Sequence, residues 1–218
     1  MIKINTQCKK INEIMKSVGD EFVYSQKYKD DREWWILCSF IKLYKRNINN
    51  YPRYAEKRKP NDPDFLTFTD IENEFHPIEI VETITLDRKR GKEYQDHKLN
   101  KQTAIVSIEP VEQPWKSMIE NIHKKYLKKY QKNCWLLVYH NMSYYEISHY
   151  GYWHNTILYN FQEWYASNII DYSKCPYESI YMINSSAKAL VRSYPDLKVI
   201  IPEKRSNYTQ IAKEFLNE

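Results

Sequence analysis

The sequence predicts an α/β domain with a mixed central β-sheet flanked by helices. Three observations carry that expectation. Two β-rich runs, 64–69 and 77–84, are joined by a polar stretch, as in an antiparallel hairpin. Residues 115–131 place their apolar side chains on one helical stripe. Directly behind that stripe, Cys134-Trp135-Leu136-Leu137-Val138-Tyr139 is a continuous apolar run, the pattern of a strand buried on both faces in a partly parallel sheet.

In chain order, residues 31–48 read as a helix. Trp34, Trp35, Leu37, Cys38, Ile41 and Leu43 keep near-helical spacing, and Asp30 and Asp31 suit its positive end. Residues 49–61, interrupted by Pro52 and Pro60, read as irregular or as holding one short strand. The hairpin follows, then the basic run Arg88-Lys89-Arg90-Gly91-Lys92 and a stretch without clear period up to Pro114. Trp115, Met118, Ile119, Ile122 and Tyr126 form the stripe of the next helix, and the buried strand comes immediately after it. Residues 155–170 read as a further helix, 179–183 and 198–201 as strands, and 207–215 as a closing helix.

The chain has 218 residues with no internal repeat and no low-complexity linker, so a single domain spanning 1–218 is expected. Aromatic residues make up 15%, including 20 tyrosines and six tryptophans, which excludes global disorder. Only three glycines occur, Gly19, Gly91 and Gly151, and none of the phosphate-binding or nucleophile-elbow patterns that need glycines at close spacing can be written. Cys8, Cys38, Cys134 and Cys175 are widely separated; neither a zinc pattern nor a disulfide framework emerges, and a reducing, cytoplasmic location is expected. The six histidines never approach a zinc-binding spacing. No stretch approaches about 18 uninterrupted apolar residues, so no membrane partner is expected.

Formal net charge is +5, and its distribution is uneven. Between residues 116 and 132 six lysines face one acid, Glu120, and the 88–92 run adds a second basic cluster. Such concentration points to a polyanion, or else to a solvated lysine face. Tyr144, Tyr145, Tyr150, Tyr152 and Trp153, interleaved with His149 and His154, form a ring-rich segment suited to core packing or to stacking on unpaired bases.

The chemistry concentrates on the hairpin. Asp64 opens its first strand after Pro63, and Glu79 sits within the second, flanked by Ile78 and Ile80. Alternation turns Glu79 away from the face that those isoleucines cover, and a carboxylate in an apolar strand needs a reason. If the two strands pair, Asp64 and Glu79 converge, and two hard oxygen ligands at one point suit Mg2+.

Pro63-Asp64-Phe65, then Ile78-Glu79-Ile80-Val81-Glu82, then a lysine-rich helix running into Trp135-Leu136-Leu137-Val138-Tyr139, resembles the PD-(D/E)xK nuclease superfamily with its restriction-endonuclease-like fold. The segments 177–183 and 199–202 are similar to the C-terminal strand pair of divergent bacterial members, so the resemblance spans about residues 31–202. It implies an αβββαβ core over about 31–140 with a C-terminal extension over about 141–218, Asp64 and Glu79 as metal ligands, and Mg2+ or Mn2+ as cofactor. It further implies nucleic acid as partner, DNA ahead of RNA, with a homodimer compatible with it. One departure stands out: the usual lysine, two residues after the Glu, is Val81. Some members carry Glu-x-x-Glu with a basic residue supplied by the following helix, and Glu82 with Lys125 fits that variant. On a helical wheel Lys125 and Lys129 border the buried stripe, whereas Lys124 and Lys128 point away. Glu33, at the start of the first helix, matches an extra acid of some members, although acids are favoured there in any case.

The expected activity is therefore divalent-metal-dependent hydrolysis of phosphodiester bonds, with Asp64, Glu79, Glu82 and Lys125 catalytic and Arg88, Lys89, Arg90, Lys92, Lys125 and Lys129 on the phosphate backbone. A catalytically inactive nucleic-acid-binding descendant and a protein-interaction module are the alternatives.

Overall fold

The apolar run behind the lysine-rich helix becomes β5 (Trp135–His140), at the centre of one eight-stranded sheet. The computed structural model describes residues 1–19, 21–46, 48–70, 74–84, 95, 99, 114–128, 130, 133–140, 166–184, 190–196 and 198–200. The strands, β1 (Ile2–Lys3), β2 (Tyr54–Lys57), β3 (Phe65–Phe68), β4 (Phe75–Thr83), β5, β6 (Ser179–Asn184), β7 (Leu190–Tyr194) and β8 (Lys198–Ile200), follow one another in the sheet in chain order. Strands β1 to β4 are antiparallel, β4, β5 and β6 run parallel, and β6 to β8 are antiparallel again. The parallel pairs are possible because long crossovers separate those strands, the first containing a helix here called α4 (Pro114–Tyr126). The sheet is thus mixed and flanked by helices on both faces, as the sequence predicts, and residues 179–200 complete the sheet rather than lying beside it.

Alternation along the central strands sorts the core into two layers. On one face Ile78, Ile80, Trp135, Leu137, Tyr139, Tyr181 and Ile183 pack against α1 (Ile4–Val18) and α3 (Lys29–Tyr44). A short helix α2 (Glu21–Tyr24) and a 3-10 turn join those two. On the other face Val81, Leu136, Val138, Ile180 and Met182 pack against Met118 and Ile122 of α4, with Ala166 and Ile170 from a short helical segment, 166–169, and its exit. Rings stitch the α3 layer: Trp34 meets Phe65 edge-on with centroids 4.7 Å apart, and Phe40 lies 5.1 Å from Tyr181 and 5.2 Å from Tyr44.

Several expectations change. No element is expected before residue 31, yet α1 occupies that segment, with Ile4, Cys8, Ile11, Met15 and Val18 turned to α3. Packing of α1 on α3 brings the Cα atoms of Cys8 and Cys38 to 5.6 Å, and the two are disulfide-bonded. The expectation that no cysteines pair is therefore corrected, and with it goes the cysteine argument for a reducing compartment. Strand β7 is a further addition, and α4 ends at Tyr126 rather than near residue 131. The expected helix 155–170 is described only over its last part, and the closing helix 207–215 and the ring-rich segment 144–154 lie outside the described residues. Among the described residues no helix is long and apolar enough to cross a membrane.

Candidate metal and phosphate site

Register brings the two hairpin carboxylates together. Phe65 pairs with Ile78 across β3 and β4, so Asp64, one residue before β3, stands opposite Glu79 on the face that carries α4. Asp64 Oδ2 accepts a hydrogen bond from the Ile80 backbone N–H at 2.8 Å, which ties the start of β3 to the middle of β4. Glu79 is 1% exposed. A carboxylate so deep is tolerated only with partners, and lysines from α4 and its exit supply them. Lys125 Nζ, from the last turn of α4, forms a short ion pair with Glu79 Oε1, and Lys128 Nζ approaches the same oxygen at 3.1 Å. The Lys125 ammonium also donates to the Ile80 carbonyl at 3.3 Å. The other carboxylate oxygen, Glu79 Oε2, is buried with no hydrogen-bond partner among the described residues.

The surroundings follow from this concentration of charge. Burial, and then the negative charge of Glu79, push the Asp64 carboxyl above the usual carboxylate range, against the pull of the Ile80 N–H, Lys57 and Lys125. Cys134, buried just ahead of β5, is pushed up to about 12 by burial and by Glu79. Lys128 donates to the Tyr130 hydroxyl at 2.9 Å; that bond raises the ammonium above its ordinary value. Burial holds the Tyr130 phenol up at about 12. On the α3 face Lys57 lies with its Nζ 4.7 Å from the Phe65 ring centroid and pairs with Glu33, while burial lowers its pKa.

Because Asp64 binds its proton more tightly in the folded chain than in the unfolded one, its contribution is complete at acid pH and is lost as pH rises through the folded-state value. Asp64→Asn, which keeps an acceptor for the Ile80 N–H, is accordingly expected to raise the thermal midpoint near neutral pH in the absence of divalent cations. The gain should shrink on acidification. A neutral-pH midpoint lower than wild type, measured by calorimetric melting, would contradict this.

Asp64, Glu79 and Lys125 thus meet at one place. Glu82 does not join them: β4 runs without a bulge against β5, and a three-residue offset turns Glu82 to the α3 face. Strand alternation sets residues 79 and 82 on opposite faces, and the bulge or strand end that a catalytic role for Glu82 would need is absent from this ladder. Glu33 also belongs to the α3 face, where Lys57 and Lys29 neighbour it. Arg88, Lys89, Arg90, Lys92 and Lys129 lie outside the described residues. Lys124 pairs with Glu120 on the outer side of α4, in the direction the wheel indicates. Lys128 reverses its expectation. The Tyr177 hydroxyl donates to the Lys125 carbonyl at 3.1 Å, satisfying one of the carbonyls that a helix end leaves open, and beyond Tyr126 the chain turns and carries Lys128 back onto Glu79. Sequence spacing beyond Tyr126 holds no signal for that return.

No family model matches this chain, and neither does any curated protein or solved structure. Among the described residues no group of three or more His, Cys, Asp or Glu gathers at one point. Two carboxylates and a backbone carbonyl, all hard oxygen donors, suit a cation that keeps several waters, which is how Mg2+ is commonly held. The buried, partnerless Glu79 Oε2 fits such an ion.

Proposed function

We propose that this protein is a divalent-metal-dependent nuclease that hydrolyses phosphodiester bonds of nucleic acid, with DNA ahead of RNA as substrate. The observation that carries the reading is the facing pair of a half-buried Asp64 and a buried Glu79, with two lysines on Glu79 and its other oxygen without a hydrogen-bond partner among the described residues. The element order around it, helix α3, three antiparallel strands, helix α4 and a strand parallel to β4, supports the resemblance to the restriction-endonuclease-like core. Asp64, Glu79 and the Ile80 carbonyl would hold Mg2+ or Mn2+. Bound there, the ion supplies Lewis-acid stabilisation of phosphate charge and a source of hydroxide at neutral pH.

The remaining work falls to the chain. Lys125 and Lys128 bring ammonium groups to the Glu79 carboxylate, within reach of a phosphate bound there, whose developing charge they can offset. Val81, at the usual lysine position, packs with Met118 and Ile122 under α4, so the donor has to come from the helix and its exit. The basic run 88–92 contributes phosphate contacts that fix register without reading sequence. Val81 equally favours the second reading, a descendant that binds nucleic acid and has lost the chemistry.

Calorimetric titration with Mn2+ tests the site. Wild type should bind, and Asp64→Ala and Glu79→Ala should each abolish binding while keeping a cooperative melt. Unchanged affinity in both variants would sink the assignment. Metal binding without cleavage of single- or double-stranded DNA or RNA would favour the inactive descendant.

A further inference from the structure

We propose that in the cation-free protein the Lys125 ammonium holds the place that a divalent cation takes at Asp64 and Glu79, and that it is expelled when the cation binds. The inference rests on the metal reading above and adds to it a competition within the protein's own side chains. Lys125 Nζ is received by two oxygens of β4, Glu79 Oε1 and, at 3.3 Å, the Ile80 carbonyl. These are hard donors of the kind that Mg2+ or Mn2+ selects. With Glu79 only 1% exposed, its charge requires a permanent counter-charge, and without an ion Lys125 provides it.

Charge balance makes the two occupants exclusive. Two carboxylates, Asp64 and Glu79, face two ammonium groups, Lys125 and Lys128. A divalent ion on the same oxygens would leave two surplus positive charges at contact range, where Coulomb repulsion is weakly screened. One lysine therefore leaves. Lys128 has a second tie, the Tyr130 hydroxyl at 2.9 Å, whereas Lys125 is held through the oxygens in dispute. The four-carbon stem of Lys125 lets its head swing from the carboxylate to the opening of the site while the alkyl chain stays against α4. The released ammonium then stands where a bound phosphate needs a donor, so one side chain serves as placeholder before loading and as donor after it.

The test compares Mn2+ affinity in full-length wild type, Lys125→Met and Lys124→Met by calorimetry. Lys125→Met should bind Mn2+ about tenfold more tightly or better, the scale of one charge-assisted hydrogen bond no longer competing. Lys124→Met, which removes equal charge from the outer side of α4, should match wild type. In wild type, saturating Mn2+ should raise the acetylation rate of Lys125 relative to Lys124, read by mass spectrometry; this arm decides if Lys125→Met does not fold. Equal or weaker Mn2+ binding by Lys125→Met, or unchanged Lys125 labelling where the variant is unfolded, overturns the exchange and leaves the metal reading standing. No Mn2+ binding by wild type or either variant overturns both.

Discussion

Lys125→Ala is expected to lower divalent-metal-dependent cleavage by about 100-fold or more, the scale of losing one preorganised transition-state donor. The expectation rests on position rather than charge. Lys125 leaves the last turn of α4 toward the sheet and reaches Glu79 and the Ile80 carbonyl, while Lys124, its neighbour in sequence, pairs with Glu120 outside. Lys124→Ala should therefore cost little beyond weakened phosphate attraction, which added salt would mask. Lys128→Ala should fall between the two, because its ammonium reaches the same Glu79 oxygen from the turn after the helix. Initial rates on a labelled duplex with Mg2+ give the ranking. Equal losses at all three lysines would show that the helix only attracts phosphate, and the donor assignment would fall.

The largest effect on stability is expected at Phe40. Its side chain is 1% exposed and lies among Tyr44, Trp135 and Tyr181, with ring centroids 5.1 to 6.4 Å away. These rings join α3 to β5 and β6, so Phe40→Ala removes the centre of the helix–sheet contact as well as opening a cavity. A loss of about 3–5 kcal/mol is expected from lost burial and incomplete relaxation. Urea unfolding monitored by tryptophan fluorescence should show the midpoint falling with the slope unchanged. A loss below about 1 kcal/mol would mean that α3 is not packed on the sheet by this residue. Phe40→Leu, which keeps much of the volume, should cost far less.

What was legible in the chain was whatever is written in short-range pattern. The run 134–139 reads as a doubly buried strand because neither face offers a polar residue, and β5 is that strand, between two parallel neighbours. The hairpin reads from two β-rich runs and a polar joint, and its pairing follows. Glu79 stands out as a carboxylate between isoleucines, and the stripe of α4 places Lys125 at its margin. Each of these inferences needs only the two side-chain periods and the cost of burying a charge.

The rest depended on contacts between segments far apart in sequence. Cys8 and Cys38 meet because α1 lies on α3, and no spacing of 30 residues encodes that approach. Alternation alone sets Glu82 opposite Glu79 unless the strand ends or bulges between them, and only the unbroken ladder against β5 shows that it does neither. Lys128 looked outward on a helix assumed to run on, and reaches Glu79 because Tyr177, arriving from just ahead of β6, bonds the Lys125 carbonyl where the helix ends. That the hairpin and the run 134–139 form strands, and that Glu79 is the carboxylate out of place, were thus determined locally, by side-chain alternation and apolar burial. Which lysines and acids share the site was decided only when the sheet register and the end of α4 were set, since both are fixed by hydrogen bonds that the chain makes after it has folded back on itself.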